Sequence, residues 1–318
     1  DYKTENKKNY KFKFNIDRGG TFTDIYCEYK QSDQTSEKNE NDNNTYQKKI
    51  EDKLLSSDPS NYEDAPAEGI RRIINKIASQ NILKGEKIPS EFIESIRMGT
   101  TIATNNLLER KGEKCALIIS KGFRDLIEIG NQTRPNIFDL KIEKPEKLYD
   151  CVFEINERVR VLNKFENNFV EKKKISQGKN FQEKNLFENN ELLMGITNEE
   201  VEIITKIEEE ELKEILNKVK EMNIQSISVA FVHSYAYPNH EKFVKKIGKE
   251  MGFLNISLSC EIMPLVKFYP RGSTAVVDAY LTPSISKYVS RFISYFDDPD
   301  KINVLFMQSD GGLTGHNN

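Results

Sequence analysis

The sequence is poor in the residues that metal scaffolds and disulfide frameworks require. Its 318 residues include four cysteines and three histidines. Cys27, Cys115, Cys151 and Cys260 are scattered, with no Cys-x-x-Cys pair and no nearby histidine, a spacing that argues against a structural zinc site. Separated thiols suit a reduced, cytoplasmic protein better than a disulfide framework. No apolar run is long enough for a membrane span and no secretory leader is visible, so no membrane role is expected. Positive charge is not in excess, with 47 Lys and Arg against 50 Asp and Glu. A nucleic-acid partner therefore has no basic footprint to recognise. Residue 1 is Asp rather than Met, and the expectation is that the natural N-terminus lies upstream or has been processed.

What is present begins with Phe14 to Glu28. Phe12, Phe14 and Ile16 lead into Asp17, then Arg18, Gly19, Gly20 and Thr21, then Thr23 and Asp24, and a second β-prone run from Ile25 to Tyr29. Strand, glycine turn and strand predict a β-hairpin. Glycines let the backbone approach a bulky ligand, and successive N–H groups in such a turn form an anion-binding concavity. Thr hydroxyls can donate to phosphate oxygens, and a neighbouring carboxylate can hold Mg²⁺. The plain alternative is an ordinary hairpin, but flanking carboxylates and hydroxyls favour a phosphate site.

The length allows two domains. Residues 1–11 are polar and read as a frayed tail. Residues 31–49 and 163–195 are rich in Asn, Lys and Glu and read as disordered insertions. Residues from Lys53 to Pro66 read as an extended loop. Pro66 opens a helix carrying Ile70, Ile73, Ile74 and Ile77 on one face. A strand ends at Gly99, and Thr100 and Thr101 stand where a helix begins, either as caps or as anion ligands. Strands are expected from Lys114 to Ser120, from Val152 to Val161, from Ile224 to His233, at Asn255–Ser259 and from Ile302. Helices are expected from Glu199 to Met222, from His240 to Met251 and from Arg271. Alternating strands and helices define an α/β layered fold. The loop after Gly130 offers Asn131, Gln132 and Arg134, amide and guanidinium groups suited to a small polar acid. Arg271 beside the positive end of a helix dipole suggests an anionic partner. Asp310, Gly311 and Gly312 follow the last strand as a further ligand turn. His233 and His240 read as packing or capping residues rather than metal ligands.

These stretches resemble the hydantoinase A/oxoprolinase family. The matching segments are Asp17–Asp24, Arg97–Arg110, Gly122–Asp139, His233–Glu241 and Met307–Leu313. Two more, Asp58 to Ile73 and Tyr269 to Pro283, point to the branch acting on 5-oxo-L-proline rather than hydantoins. The resemblance implies an actin-like ATPase (ribonuclease H-like) architecture, a mixed sheet flanked by helices. The implied domains are an N-terminal region at 12–235 and the start of a second at 236–318. The implied reaction is ATP-dependent opening of the 5-oxo-L-proline lactam to L-glutamate, with release of ADP and phosphate. ATP and Mg²⁺ would be the cofactors. Asp17 would serve as metal ligand and catalytic group, with Thr100 and Thr101. Arg18, Gly19, Gly20, Thr21, Thr23, Asp24, Asp310, Gly311 and Gly312 would surround the nucleotide. Asn105, Asn131, Gln132, Arg134 and Arg271 would contact substrate. The parent protein would be a homodimer.

The family pattern continues past Asp-Gly-Gly-Leu into a second Asp-x-Gly-Gly-Thr phosphate loop, which these residues do not include. The chain is thus expected to supply one wall of an ATP cleft, to work with a C-terminal remainder, and to show little ATPase activity alone. Alternatives are an ATP-dependent hydantoinase, a ketone-carboxylase subunit, or a truncated nucleotide-binding module.

Overall fold

The computed structural model describes residues 9–32, 48–131, 138, 140–142, 144–162 and 191–315. It divides into two units, one formed by residues 1–111 and 284–318, the other by 112–283.

The first unit is built on a hairpin. Strand β1 (Asn9–Arg18) pairs antiparallel with β2 (Phe22–Ser32), and β2 pairs antiparallel with β3 (Lys48–Leu55). Strand β4 (Ile93–Thr100) runs parallel to β1. Strand β12 (Asn303–Met307) runs parallel to β4 and turns into the short β13 (Leu313–Gly315). The sheet order is β13-β12-β4-β1-β2-β3. An antiparallel meander flanked by parallel strands, with helices packed on the sheet, is the ribonuclease H-like arrangement of actin-like ATPases. The β2–β3 connection leaves the sheet at the edge opposite the β1–β2 turn.

Alternation decides which face of this sheet is buried. Phe12, Phe14 and Ile16 of β1, Ile25 and Cys27 of β2, and Ile96 and Met98 of β4 form one apolar face. Helix α1 (Ala65–Ala78) covers it with Ile70, Ile73 and Ile74. Asp64 caps this helix by accepting from the Ala67 amide at 2.9 Å, and Pro66 occupies the first turn, where no amide is needed. Phe292 and Phe296 complete the core. A short helix α2 (Ile102–Leu108) follows β4.

The second unit holds a four-stranded sheet, β11-β10-β5-β6, and a three-stranded sheet, β7-β9-β8. In the first lie β5 (Cys115–Ser120), β6 (Cys151–Ile155), β10 (Ser226–Ala230) and β11 (Asn255–Leu258), all parallel. The second holds β7 (Arg158–Leu162), β8 (Glu191–Met194) and β9 (Glu200–Thr205). The helices are α3 (Leu126–Ile129), α4 (Glu209–Glu221), α5 (Asn239–Glu250) and α6 (Ser259–Ile262). Helix α7 (Phe268–Ile293) begins in this unit and ends in the first.

Several expectations are corrected. The tail is shorter than expected, because Tyr10 continues the alternation of β1 and stacks on Phe12. Most of the two Asn-rich stretches falls outside the described residues, but their edges are strand: Gln31 and Ser32 close β2, Lys48 and Lys49 open β3, and Glu191–Met194 is β8. Residues 53–55, expected in a loop, finish β3. The run from Val152 to Val161 is two strands in different sheets. It breaks at Glu157, a buried carboxylate that accepts from Ser120 Oγ and faces His240 Nδ1 at 2.8 Å. The long helix expected from Glu199 is strand β9 followed by α4. Val201 and Ile203 point inward with period two, and the intervening Glu202 is held by Arg160 Nε at 2.7 Å. Helix α4 begins only at Glu209, where Glu209, Glu210 and Glu211 complement the positive end of its dipole.

Candidate functional site

The parallel strands β1, β4 and β12 all end at one edge of the six-stranded sheet, where open α/β sheets place ligands. The register sets Arg18 beside Thr100 and Asp17 beside Gly99. The Thr101 amide donates to Arg18 O at 3.2 Å, which ties the start of α2 to the hairpin. Asn105 sits over the glycine turn: a Cβ added at Gly20 would stand 3.2 Å from Asn105 Nδ2. At Gly19 the same atom would stand 3.1 Å from Phe22 O. Neither glycine has a positive φ, so close packing rather than backbone conformation calls for glycine here.

The hairpin divides its polar residues between two faces. Asp17 and Asp24 are register partners on the face away from the core. They line a cleft of about 970 Å³ with Lys53, Arg97, Gly99 and Gly311. Lys53 Nζ lies 2.7 Å from Asp24 Oδ1. Thr21 is exposed in the turn, and among the described residues its hydroxyl has no partner.

Arg18 and Thr23, also register partners, turn the other way. Thr23 is 0 % exposed and shares a 2.9 Å hydrogen bond with Ser56 Oγ, which also donates to Gly19 O at 2.7 Å. The Arg18 guanidinium lies 4.9 Å from the centre of the Tyr288 ring, and its buried Nε has no hydrogen-bond partner among the described residues. Burial pushes the Tyr288 phenol far above its ordinary pKa. Arg18 and Thr23, expected beside the phosphates, thus support the turn from beneath.

Thr100 Oγ1 accepts from the Ile102 amide at 3.3 Å, and Thr101 Oγ1 from Asn105 Nδ2 at 3.2 Å. Both threonines serve local structure at the cleft edge. Asp310 Oδ1 accepts from the Gly312 amide at 2.8 Å, and Gly311 has φ +85°. This Asp-Gly-Gly is the turn between β12 and β13.

Asn131 and Arg271 belong to the second unit, and Gln132 and Arg134 lie outside the described residues. Arg271 does not present a free guanidinium. It is 1 % exposed, donates to Leu265 O at 3.0 Å, Phe231 O at 2.8 Å and Ser259 Oγ at 2.5 Å, bonds Ser234 Oγ, and lies 3.6 Å from Glu241 Oε1. Its anionic partner is Glu241, whose carboxylate also accepts from the Phe231 and Cys260 amides. Burial lowers the Arg271 pKa despite that carboxylate. Arg271 is therefore withdrawn as a substrate ligand.

The donor set at the hairpin fits Mg²⁺, which takes one or two carboxylates and completes its shell with water and phosphate. Among the described residues no group of three or more His, Cys, Asp or Glu is arranged for a metal, so a full protein cage is not offered. Among the described residues, His233 and His240 belong to no such group.

Sequence reasoning missed Lys53, Ser56 and Arg97. Pairing of β3 with β2 brings Lys53 opposite Asp24, and this long-range pairing leaves no signal in the charged sequence of β3 itself.

A ribonuclease H-like sheet with a glycine hairpin and paired carboxylates at its ligand edge defines the actin-like ATPase class of fold. Residues 13–252 match the family model "Hydantoinase/oxoprolinase N-terminal region", and residues 271–318 match "Hydantoinase/oxoprolinase". The chain belongs to the hydantoinase/oxoprolinase family. It is 46% identical over 304 residues to 5-oxoprolinase 1 of Arabidopsis thaliana and 42% identical over 298 residues to 5-oxoprolinase of Saccharomyces cerevisiae. These alignments cover 95% and 94% of this chain but only 21% of each relative. The chain thus spans about a fifth of their length. Its fold is similar to that of the ATP-dependent caprolactamase from Pseudomonas jessenii, with TM-score 0.60 and 21% identity, covering 95% of this chain and 36% of the other. It is also similar to nucleotide-free acetone carboxylase, with TM-score 0.61 and 16% identity, covering 98% and 38%. Among the described residues, no helix is long and apolar enough to cross a membrane.

Proposed function

We propose that this chain forms part of the ATPase half of an enzyme that opens 5-oxo-L-proline to L-glutamate at the expense of ATP. The observation that carries the reading is the Asp17–Asp24 pair facing one cleft beside the glycine turn, in a chain 46% identical to a 5-oxoprolinase. An amide is resonance-stabilised. Transfer of the γ-phosphoryl group to the lactam oxygen makes the ring carbon electrophilic. Water then adds to that carbon and the C–N bond breaks, the ring nitrogen taking up a proton to leave an acyl phosphate; a second water hydrolyses this acyl phosphate, releasing phosphate and the open amino acid.

The chain's own residues have definite parts in this scheme. Asp17 and Asp24 hold the metal of Mg-ATP, directly or through water. The amides of Gly19, Gly20 and Thr21 and the Thr21 hydroxyl bind phosphate oxygens. Ser56 and Thr23 hold the turn in shape from below, and Gly311 closes the cleft from β12. Catalysis of phosphoryl transfer is chiefly positioning and charge neutralisation, which these groups supply. Within the first unit, Thr100, Thr101 and Asn105 remain candidates for contacting the lactam. The remainder of the longer protein, as a homodimer, provides the other wall and the hydrolytic part. Reaction in the cytoplasm suits free thiols at Cys27, Cys115, Cys151 and Cys260.

The test is ADP release by the full-length protein with 5-oxo-L-proline, with hydantoin and with no lactam. Release stimulated by 5-oxo-L-proline and lost in Asp17→Asn supports the reading. Stimulation by hydantoin alone moves the substrate to the alternative branch.

A further inference from the structure

Arg97 stands in the middle of β4, on the cleft face, between Asn15 of β1 and Leu305 of β12. Most charged groups of the first unit are engaged. Arg71 and Arg72 hold Glu68, Arg291 holds Glu63, and Lys53 holds Asp24. The Arg97 guanidinium is exposed in the cleft and, among the described residues, has no hydrogen bond, ion pair or ring partner. The same cleft is lined by Asp17, Asp24, Glu51 and Asp52. Four carboxylates repel an anionic ligand unless cations offset them. Lys53 is occupied by Asp24, which leaves Arg97 as the uncommitted cation among the described residues that line the cleft.

Its position suits a ligand bound at the hairpin. Gly99, two residues further along β4, is the register partner of Asp17. Arg97 therefore projects from the same face about 6.6 Å along the strand from the Asp17 level. An arginine side chain is long enough to span that interval. Its planar fork matches the paired oxygens of a carboxylate or phosphate.

We propose that Arg97 is a specificity-determining residue that holds an oxyanion of the ligand in this cleft. That oxyanion is either a nucleotide phosphate or the carboxylate of the lactam acid. The proposal rests on the nucleotide and lactam reading given above. It extends that reading by assigning the anion-holding role to a residue of the sheet, in the place that Arg271 vacates.

The experiment uses the full-length protein and its Arg97→Gln and Arg97→Lys variants, with folding checked by circular dichroism. Four probes are used: Mg-ATP, 5-oxo-L-proline, the uncharged lactam 2-pyrrolidinone, and inorganic tripolyphosphate, which requires no turnover. A charge-assisted hydrogen bond lost from such a site weakens binding about ten- to a hundredfold. If Arg97 holds phosphate, Arg97→Gln weakens Mg-ATP and tripolyphosphate by that factor and leaves the KM for 5-oxo-L-proline unchanged. If it holds the carboxylate, the KM for 5-oxo-L-proline rises by that factor, while turnover of the uncharged lactam 2-pyrrolidinone and ATP affinity do not change. Arg97→Lys is intermediate in either case. Folded variants that bind all probes like the wild type overturn the proposal. So does a wild-type protein whose melting temperature none of the anions shifts. Should tripolyphosphate bind through Arg97 while 5-oxo-L-proline stimulates nothing, the lactam reading fails and the anion site stands.

Discussion

Asp17 and Asp24 stand directly opposite each other across the first hairpin, on the cleft face. Like charges placed this way cost about 0.2–1 kcal/mol relative to neutral neighbours. Without metal, Asp17→Asn should therefore melt slightly higher than the wild type, by about 0.5 kcal/mol. With Mg-ATP the order should reverse, because the variant gains nothing from the ligand. Thermal melts with and without Mg-ATP check this, and a variant that is less stable in both conditions removes the carboxylate pair from the argument.

Ser56 joins the end of β3 to the glycine turn through Gly19 O and Thr23 Oγ1. Ser56→Ala leaves both groups short of a partner and should cost about 1–3 kcal/mol. Thr23→Val retains the bond to Gly19 and should cost less. Urea unfolding ranks the two, and an equal or reversed ranking contradicts the role given to Ser56.

Arg271 and Glu241 form a buried charged pair within the second unit. Arg271→Met should lower stability by about 3–5 kcal/mol, because it strands a buried carboxylate. Arg271→Lys should also destabilise, since an ammonium cannot reproduce the fork to Leu265 and Phe231. The measurement is made without substrate. If both variants keep full stability and lose only affinity for the lactam acid, the substrate role returns.

His233 has its pKa lowered by burial first and by the nearby Arg271 second. The folded state therefore resists the proton that the unfolded chain accepts near pH 6.5. Its contribution is complete above that value and is lost as pH falls below it toward the folded pKa. His233→Asn suits the left-handed backbone at φ 62° and should flatten the acid side of the stability profile. Denaturant melts between pH 5 and 8 test this, and an unchanged profile assigns the acid loss elsewhere.

The hairpin, α1 and the buried parallel strands were legible because their signals are local: a glycine turn, a capped isoleucine stripe and short apolar runs. Strand β3 was not, because its sequence Lys-Lys-Ile-Glu-Asp-Lys is charged and gains its place only by pairing with β2. Val201, Ile204 and Ile207 satisfy a helical stripe while Val201 and Ile203 satisfy an alternating strand, and only pairing with β7 and β8 decides between them. Arg18 and Thr23 were placed on the ligand side by motif, although alternation from Asp17 and Asp24 assigns them to the opposite face. Arg271 near a helix start calls for an anion, and the sequence points to a substrate carboxylate for it. Its partner proved to be Glu241, a long-range pairing that spacing along the chain does not reveal.

The β2–β3 connection leaves the sheet at the edge opposite the Gly19–Thr21 turn. Ser32, at the far end of β2, stands eight residues beyond Asp24 on the same strand, about 26 Å along it. A fluorophore or epitope attached at Ser32 would therefore report on the protein from the end of the sheet remote from the ligand edge.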